Sequence, residues 1–356
     1  MNDLQQLPAL LLPWYEKEKR DLPWRNDNDP YHVWLSEIML QQTRVEAVVG
    51  YYHRFLEALP TIQALAETDE ETLLKLWEGL GYYNRARNLQ KAAQVIAQQH
   101  GGAFPNTYDA IRALPGIGPY TAGAIGSICF DLPTPAVDGN VLRVFTRYGE
   151  DGSNIDKQST KSAIEDALRP VYRSPNCGAM TQALMELGAT VCVPNGAPKC
   201  SVCPLRGECK ANKNGSWMFY PVRDEKKARK ILFKTVLMLQ CGDRFAIRKR
   251  PKTGLLASLW EFPNADVAQT EQSLPDKAAQ NALTLAAQFG AAPTDLVLQT
   301  GYTHIFTHVE WHMTGYLIRC RKMPDDFLWV TREQLEHEYA LPSAFRPFWD
   351  VAVGEE

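Results

Sequence analysis

The sequence predicts an all-α domain over residues 1–220 and an α+β domain over 231–356, joined by a linker at 221–230. Three observations lead there. Apolar residues recur at three- and four-residue spacing through the first 220 positions, the period of an amphipathic helix. From Ile231 the pattern changes to short, β-branched, alternating runs such as ILFKTVLMLQC and RFAIRKR, the period of a strand. Between them, Pro221 to Lys230 is dense in charge, and a chain of 356 residues is long for a single core.

The elements follow in order. Asp29 before Pro30 opens YHVWLSEIMLQQ as an N-cap with proline at the first helical position. Asp69 precedes EETLLKLWEGLG, which is expected to stop at glycine, and NRARNLQKAAQVIAQQH runs into Gly101 and Gly102. Further helices are predicted for TYDAIRAL, PYTAGAIGSICF, KQSTKSAIEDALRPVY and GAMTQALMELGATVC. In the second half, KAAQNALTLAAQFG reads as a helix and EWHMTGYLIRC as a strand. There is no internal repeat and no low-complexity tract.

Hydrophobic content of 45% and charged content of 22% are ordinary for globular protein. The apolar run Leu7 to Trp14 is broken by Pro8 and Pro13, too short to span a bilayer and a poor signal peptide. No membrane partner and a cytoplasmic location are therefore expected, with the eight cysteines kept as thiols or ligands. Cys129, Cys177, Cys241 and Cys320 are scattered and read as small core residues. The net charge of −3 conceals a basic stretch, Lys199 to Lys230, with nine basic residues against three acidic ones. Such a stretch suits phosphate contact, and a solvated linker has the same composition.

Four motifs carry chemistry. Cys192, Cys200, Cys203 and Cys209 form C-x7-C-x2-C-x5-C directly after a predicted helix. Four thiolates this close surround one soft metal centre, either zinc or an iron-sulfur cluster. In LPGIGPYTAGAI, Gly116 and Gly118 flank Ile117 between helical segments. That turn would aim free backbone N–H groups at a phosphate, although an ordinary helix-helix turn reads alike. Asp138 sits in PAVDGNVLRVFTR, where Asp-Gly alone would be a turn. Glu37 in VWLSEIMLQQT is flanked by Trp34, Leu35, Ile38 and Met39. Such a setting favours a protonated carboxyl, unless the side chain simply faces solvent.

Taken together these segments resemble known DNA repair enzymes. LPGIG-x-x-TA-x-A is similar to the helix-hairpin-helix motif of DNA glycosylases. The cysteine run resembles the [4Fe-4S] loop that closes the helical domain in the endonuclease III and MutY branch, here with seven residues in the first gap instead of six. SEIMLQQT resembles the segment carrying the catalytic glutamate of MutY-type adenine DNA glycosylases, and GLLASLWEFP, Gly254 to Pro263, resembles the start of a Nudix fold. The resemblance implies a helix-hairpin-helix glycosylase domain with a [4Fe-4S] loop at 192–209, followed by an α+β Nudix-like domain that recognises 8-oxoguanine.

It also implies roles. Glu37 falls on the general acid that protonates N7 of adenine, and Asp138 on the carboxylate that stabilises the sugar cation, as in two-carboxylate glycoside hydrolysis. Tyr120 and Asn140 match supporting positions, and lyase relatives place a nucleophilic lysine where Tyr120 stands, so strand cleavage is not expected. Gln42 and Tyr82 match wedge residues that fill the gap left by an extruded base, with Thr43 and Leu80 beside them. Trp24, Arg25 and Gln182 match the adenine pocket. Phe306, Thr307 and His308 fall where the family reads 8-oxoguanine with an F-S-H loop, threonine replacing serine. The expected partner is duplex DNA with adenine opposite 8-oxoguanine or guanine, bound by a monomer.

Competing readings make different demands. An endonuclease III-like lyase would want lysine at position 120. A Nudix nucleotide hydrolase would need clustered glutamates that KAAQNALTLAAQFG lacks. A lesion sensor without activity would keep the DNA grip and lose the carboxylates. His304, His308 and His312 could suggest a metal, but on a strand or turn they would not reliably share a face.

Overall fold

Local capping starts the helices where the sequence places them. In the computed structural model, which describes residues 4–225, 228–269 and 275–354, the Asp29 side chain accepts the Tyr31 N–H at 2.8 Å and opens α2, Pro30–Met39. Asp69 does the same for α5, Glu70–Leu76, through Thr72 N–H at 2.9 Å. That helix ends at Leu76, ahead of Gly79, not at the glycine. The chain divides into two units, one made of the residues up to Glu67 together with Arg87–Glu225, the other of Thr68–Ala86 together with the residues after Glu225. Part of the expected linker, residues 226 and 227, lies outside the described residues.

The first unit is helical. Its remaining helices are α1 (Leu7–Glu18), α3 (Val45–Ala58), α4 (Ile62–Glu67), α6 (Asn84–Gln99, which begins in the other unit), α7 (Tyr108–Arg112), α8 (Pro119–Phe130), α9 (Gly139–Gly149), α10 (Gln158–Leu168), α11 (Cys177–Thr190) and the short α12 (Lys210–Lys213). From the sequence no helix is assigned to α1, α3, α4, α9 or α12; Pro13, which interrupts the apolar run, sits inside α1. One core joins Leu7, Leu11 and Tyr15 of α1 to Val141 and Val144 of α9 and to Met180, Leu184 and Leu187 of α11.

The second unit is built on a seven-stranded sheet with path β3-β2-β1-β6-β5. The strands are β1 (Lys230–Cys241), β2 (Arg244–Lys249), β3 (Trp260–Glu261), β4 (Asn264–Val267), β5 (Pro293–Ile305), β6 (Val309–Cys320) and β7 (Leu328–Thr331). β1 and β6 run parallel from Lys230↔Val309 to Gln240↔Arg319, and the other pairings are antiparallel. Helix α13 (Pro275–Gln288) lays Ala278, Ala282 and Ala286 on one side of this sheet. The other side is covered by α15 (Arg346–Gly354) through Phe348, Trp349 and Ala352, beside α14 (Arg332–His337).

Segment Thr68–Ala86 belongs with the sheet although the sequence reading placed it in the helical domain. Glu71 binds Lys249 and accepts the Trp260 indole N–H at 2.9 Å, and Lys75 donates to the carbonyls of Leu335 and Tyr339 at 3.2 and 3.1 Å. Glu78 caps the Leu341 N–H at 3.1 Å. Polar contacts of this kind leave no hydrophobic period in the sequence, and that is why a linear division could not see them.

In the helical unit, one glycine sets the spacing that matters for the site. A Cβ added at Gly188 on α11 would lie 2.5 Å from Asn140 Cβ and 2.9 Å from its Cα. Backbone cannot yield as a flexible side-chain tip can, so α9 and α11 approach this closely only with glycine there. Gly188→Ala should cost about 2 kcal/mol and lower the thermal midpoint, read by circular dichroism; an unchanged midpoint would show that the helices part freely.

Candidate active site

Helices α2, α8, α9 and α11 of the first unit surround a cleft of about 550 Å³ whose walls include Glu37, Tyr120, Asp138, Asn140, Trp24, Arg25, Gln182, Gln42 and Thr43. These are nine of the residues singled out from the sequence, and the fold gathers them from positions 24 to 182.

Glu37 lies in the last turn of α2 with only 6% of its surface exposed. Burial raises its carboxyl to about 7; a hydrogen bond from Tyr120 pulls the other way, Asp138 adds to the rise, and Arg25 opposes it. The Tyr120 hydroxyl donates to Glu37 Oε2, and burial together with the two carboxylates holds the phenol well above its ordinary range. Tyr120 therefore remains a donor, Oε2 is occupied as an acceptor, and the proton of a neutral Glu37 belongs on Oε1.

Asp138 is not a turn residue but the N-cap of α9. Its Oδ1 accepts the Val141 N–H at 2.8 Å and its Oδ2 accepts the Asn140 amide at 2.7 Å. Burial raises this carboxyl too, opposed by those two hydrogen bonds and by Arg143. Both oxygens are engaged as acceptors at a helix N-terminus, an arrangement that suits the anion.

The supporting residues escaped the sequence reading. Arg143 donates to Asn140 Oδ1 at 2.8 Å, turning the amide so that its Nδ2 meets Asp138, and also to the carbonyls of Gly188 and Cys192, each at 2.7 Å. Glu186, fully buried on α11, holds Arg20 through Nε at 2.7 Å and Arg25 through Nη2 at 2.8 Å. Burial pushes Glu186 up, and the two guanidinium groups more than reverse it, leaving the carboxyl below its ordinary value. Arg25, expected in the adenine pocket, is thus pinned in place. A buried Glu and a surface Glu look identical in MELG, so no sequence signal marked it.

The wedge candidates share a backbone feature. Gln42 and Tyr82 both adopt positive φ, 61° and 48°, which non-glycine residues rarely do. Such conformations persist where the surroundings impose them, and they gather at functional sites. Tyr82 is half exposed, in the second unit, beside buried Leu80. Arg85 clamps this segment by donating to the carbonyls of Leu80 and Gly81 at 2.8 and 3.1 Å, with its guanidinium over the rings of Trp77 and Tyr82. The Tyr82 hydroxyl meets Thr307 Oγ1 at 3.0 Å.

Thr307 and His308 are exposed at the tip of the β5–β6 hairpin, which the Phe306 N–H closes onto Val309 O at 2.9 Å. Phe306 is anchored against Trp311, ring centroids 4.8 Å apart. His304 packs edge-on against Phe306 and His312 binds Glu310, so these two histidines engage different partners.

In the glycine hairpin, Gly116 has φ 75°, and a Cβ there would lie 2.5 Å from Asn88 Cβ. Glycine is needed on both counts. Gly118 is the N-cap of α8, with Pro119 at the first helical position.

Cys192, Cys200, Cys203 and Cys209 line one cavity of about 30 Å³ with Arg147 and Trp217. Lys199 N–H bonds back to Val191 O at 2.9 Å, and 194–197 loop out into solvent. Arg147 donates to Cys192 Sγ at 3.4 Å. Burial pushes the Cys203 thiol up to about 12, so ionising this set calls for a cationic centre. Among the described residues, no group of three or more His, Cys, Asp or Glu side chains is arranged to hold a single metal ion. No helix of the described residues is long and apolar enough to cross a membrane.

Comparison with known proteins defines the class. The model for the HhH-GPD superfamily of base excision DNA repair proteins matches residues 35–170, and a NUDIX domain model matches 235–351. A thermostable thymine-DNA glycosylase superposes with a TM-score of 0.53 at 28% identity, covering 58% of this chain and 94% of that one. Endonuclease III, trapped covalently on DNA, shares the fold with a TM-score of 0.51 at 24% identity, over 60% and 99% of the two chains. Helical fold and cleft together are those of a base-excision DNA glycosylase. The adenine DNA glycosylase of Schizosaccharomyces pombe is 33% identical over 94% of this chain and 87% of its own, and that of Homo sapiens 33% over 97% and 74%. The chain belongs to the adenine DNA glycosylase family.

Two titrations test the electrostatics. The Glu37 carboxyl should titrate near 7 by carbon NMR, and Tyr120→Phe should move it higher, because the hydrogen bond it removes favours the charged form. Since the folded value exceeds the ordinary glutamate value of 4.5, the unfolded chain ionises first. Folding stability attributable to this group therefore falls as pH rises from 4.5 to 7 and stays reduced above. Glu37→Gln should stabilise the fold relative to wild type at pH 8, by up to about 3 kcal/mol; equal melting of the two at pH 8 would show that Glu37 is not held out of water.

Proposed function

We propose that the chain hydrolyses the N-glycosidic bond of adenine opposite 8-oxoguanine, and opposite guanine, without cutting the strand. One observation carries the reading: a carboxyl poised to be neutral near pH 7 and a carboxylate held as an acceptor share one cleft. Adenine leaves only when a ring nitrogen is protonated, and on this reading Glu37 Oε1 donates that proton to N7. Departure leaves a cationic sugar, which the anionic Asp138 stabilises until water attacks. Tyr120 keeps the acid oriented and Asn140 keeps the anion oriented. Among the described residues lining the cleft there is no lysine, in keeping with hydrolysis over Schiff-base chemistry.

The lesion side of the reading rests on the second unit. The exposed Thr307 and His308, with Phe306 anchored behind them, form a tip suited to reading 8-oxoguanine, and the Thr307 hydroxyl retains the donor and acceptor of serine. Gln42 and Tyr82 fill the duplex where the adenosine is extruded, and the hairpin at Gly116 and Gly118 grips a phosphate without reading sequence.

The four cysteines would hold a [4Fe-4S] cluster. Bound there, it supplies a covalent cross-link between the end of α11 and the segment leading to α12. Arg147, already on Cys192 Sγ, would compensate thiolate charge. Purified protein should show broad visible absorbance and contain iron; a colourless protein with one zinc per chain would reject this assignment.

The decisive assay uses a duplex with one adenine opposite 8-oxoguanine. Wild type should release the base with a rate that falls tenfold per pH unit above about 7, whereas Glu37→Gln and Asp138→Asn should each lose at least ~100-fold. Equal release by all three proteins would remove both roles, and a borohydride-trapped adduct would overturn the hydrolytic mechanism.

A further inference from the structure

Tyr15, a core residue of α1, also reaches a side chain of the cleft. Tyr15 is 3% exposed, and its hydroxyl donates to Gln182 Oε1 at 2.8 Å, bridging 167 positions of sequence. Burial, with Arg25 opposing it, lifts the phenol to about 12, so the donor persists at any working pH. Arg25 stands with its guanidinium 5.7 Å from the Tyr15 ring, itself fixed by Glu186 at 2.8 Å and by the Arg20 carbonyl at 3.0 Å. The positive charge nearby favours the oxygen end of the Gln182 amide on this side.

A primary amide has two chemically opposite ends, and a half-turn about its last bond exchanges donor for acceptor. With Oε1 held by Tyr15, Gln182 offers its Nε2 donors to the cleft it lines. A donor must meet an acceptor. On the pairing edge of adenine the acceptor is N1, because the neighbouring N6 is itself a donor. In hypoxanthine and guanine N1 carries a hydrogen, and two donors face each other with neither satisfied. Leaving a buried donor unpaired costs ~1–3 kcal/mol.

We propose that Tyr15 is a specificity-determining positioning residue: by holding the Gln182 oxygen it presents the amide donor to N1 of the extruded purine, and so refuses 6-oxopurines. This rests on the adenine-excising reading of the cleft. Removing the phenol oxygen frees the amide to turn, and the turned amide accepts from N1–H as readily as the original donates to N1.

The test compares release of adenine and of hypoxanthine, each opposite 8-oxoguanine, by wild type, Tyr15→Phe, Gln182→Ala and the double variant. In Tyr15→Phe the ratio of kcat/KM for adenine over hypoxanthine should fall about tenfold, or ~1.4 kcal/mol, while the alkaline limb set by Glu37 stays where it is. Gln182→Ala should lose the same discrimination, and adding Tyr15→Phe to it should change nothing further. A ratio unchanged in Tyr15→Phe would overturn the proposal, as would equal slowing on both bases or a Tyr15 effect that persists without Gln182. Should Tyr15→Phe fail to fold, Gln182→Ala decides, because Tyr15 remains in place and retained discrimination refutes the mechanism. Failure of wild type to release adenine would instead reject the function itself.

Discussion

The helical unit gives two carboxyl groups of one cleft different hydrogen-bonding surroundings. Glu37 is placed in the last turn of α2, where apolar neighbours deny it water, and Asp138 is placed at the start of α9, where backbone N–H groups and a helix dipole receive it. Burial acts on both in the same direction. What separates them is hydrogen bonding. Asp138 has a backbone donor and an amide, one on each oxygen, while Glu37 has one phenol on one oxygen and leaves the other to carry a proton. The separation is a property of secondary structure as much as of residue type: a glutamate inside a helix finds no free backbone N–H, and an aspartate at its N-cap does.

That arrangement is maintained by contacts reaching well beyond the cleft. Asn140 could turn either end of its amide toward Asp138, and Arg143 settles which by binding the oxygen. Arg143 in turn reaches the Cys192 carbonyl, so the orientation of a cleft residue depends on where the end of α11 and the cysteine loop sit. Gly188 lets α9 and α11 come close enough for the chain of contacts to close. A cross-link at the cysteines would stiffen this assembly from outside, with no chemistry of its own in the cleft.

Much of this was legible in the sequence, and the reasons differ by element. Helices opened by a side-chain cap, α2 at Asp29 and α5 at Asp69, were readable because local propensity and tertiary packing agree. The α1 helix was not, since two prolines obscured a period that burial of Leu7, Leu11 and Tyr15 makes plain. Glu37 and Asp138 were found by resemblance, and their environments supply the physics that resemblance omits. Glu186, Arg143 and Gly188 were invisible because their partners lie far away in sequence, and a single chain carries no mark of a buried ion pair. The placement of Thr68–Ala86 with the sheet was hidden for the same reason, being secured by Glu71, Lys75 and Glu78 through polar contacts.

The second unit illustrates how a fold outlives a chemistry. Metal-dependent hydrolysis on such a scaffold would require acids clustered on the helix over the sheet. Here α13 turns Ala278, Ala282 and Ala286 inward, and KAAQNALTLAAQFG offers no glutamate at all. The buried acid that remains, Glu261, is consumed by Arg248 and Arg250, and so supports the strands. The same unit carries a long hairpin, β5–β6, whose tip is exposed and whose Phe306 packs on Trp311. A recognition loop needs that combination, because a mobile tip would spend binding energy on ordering itself. Tyr82 reaches this tip through Thr307, joining the strained segment before α6 to the hairpin. Two elements far apart in sequence thereby present a single preformed surface.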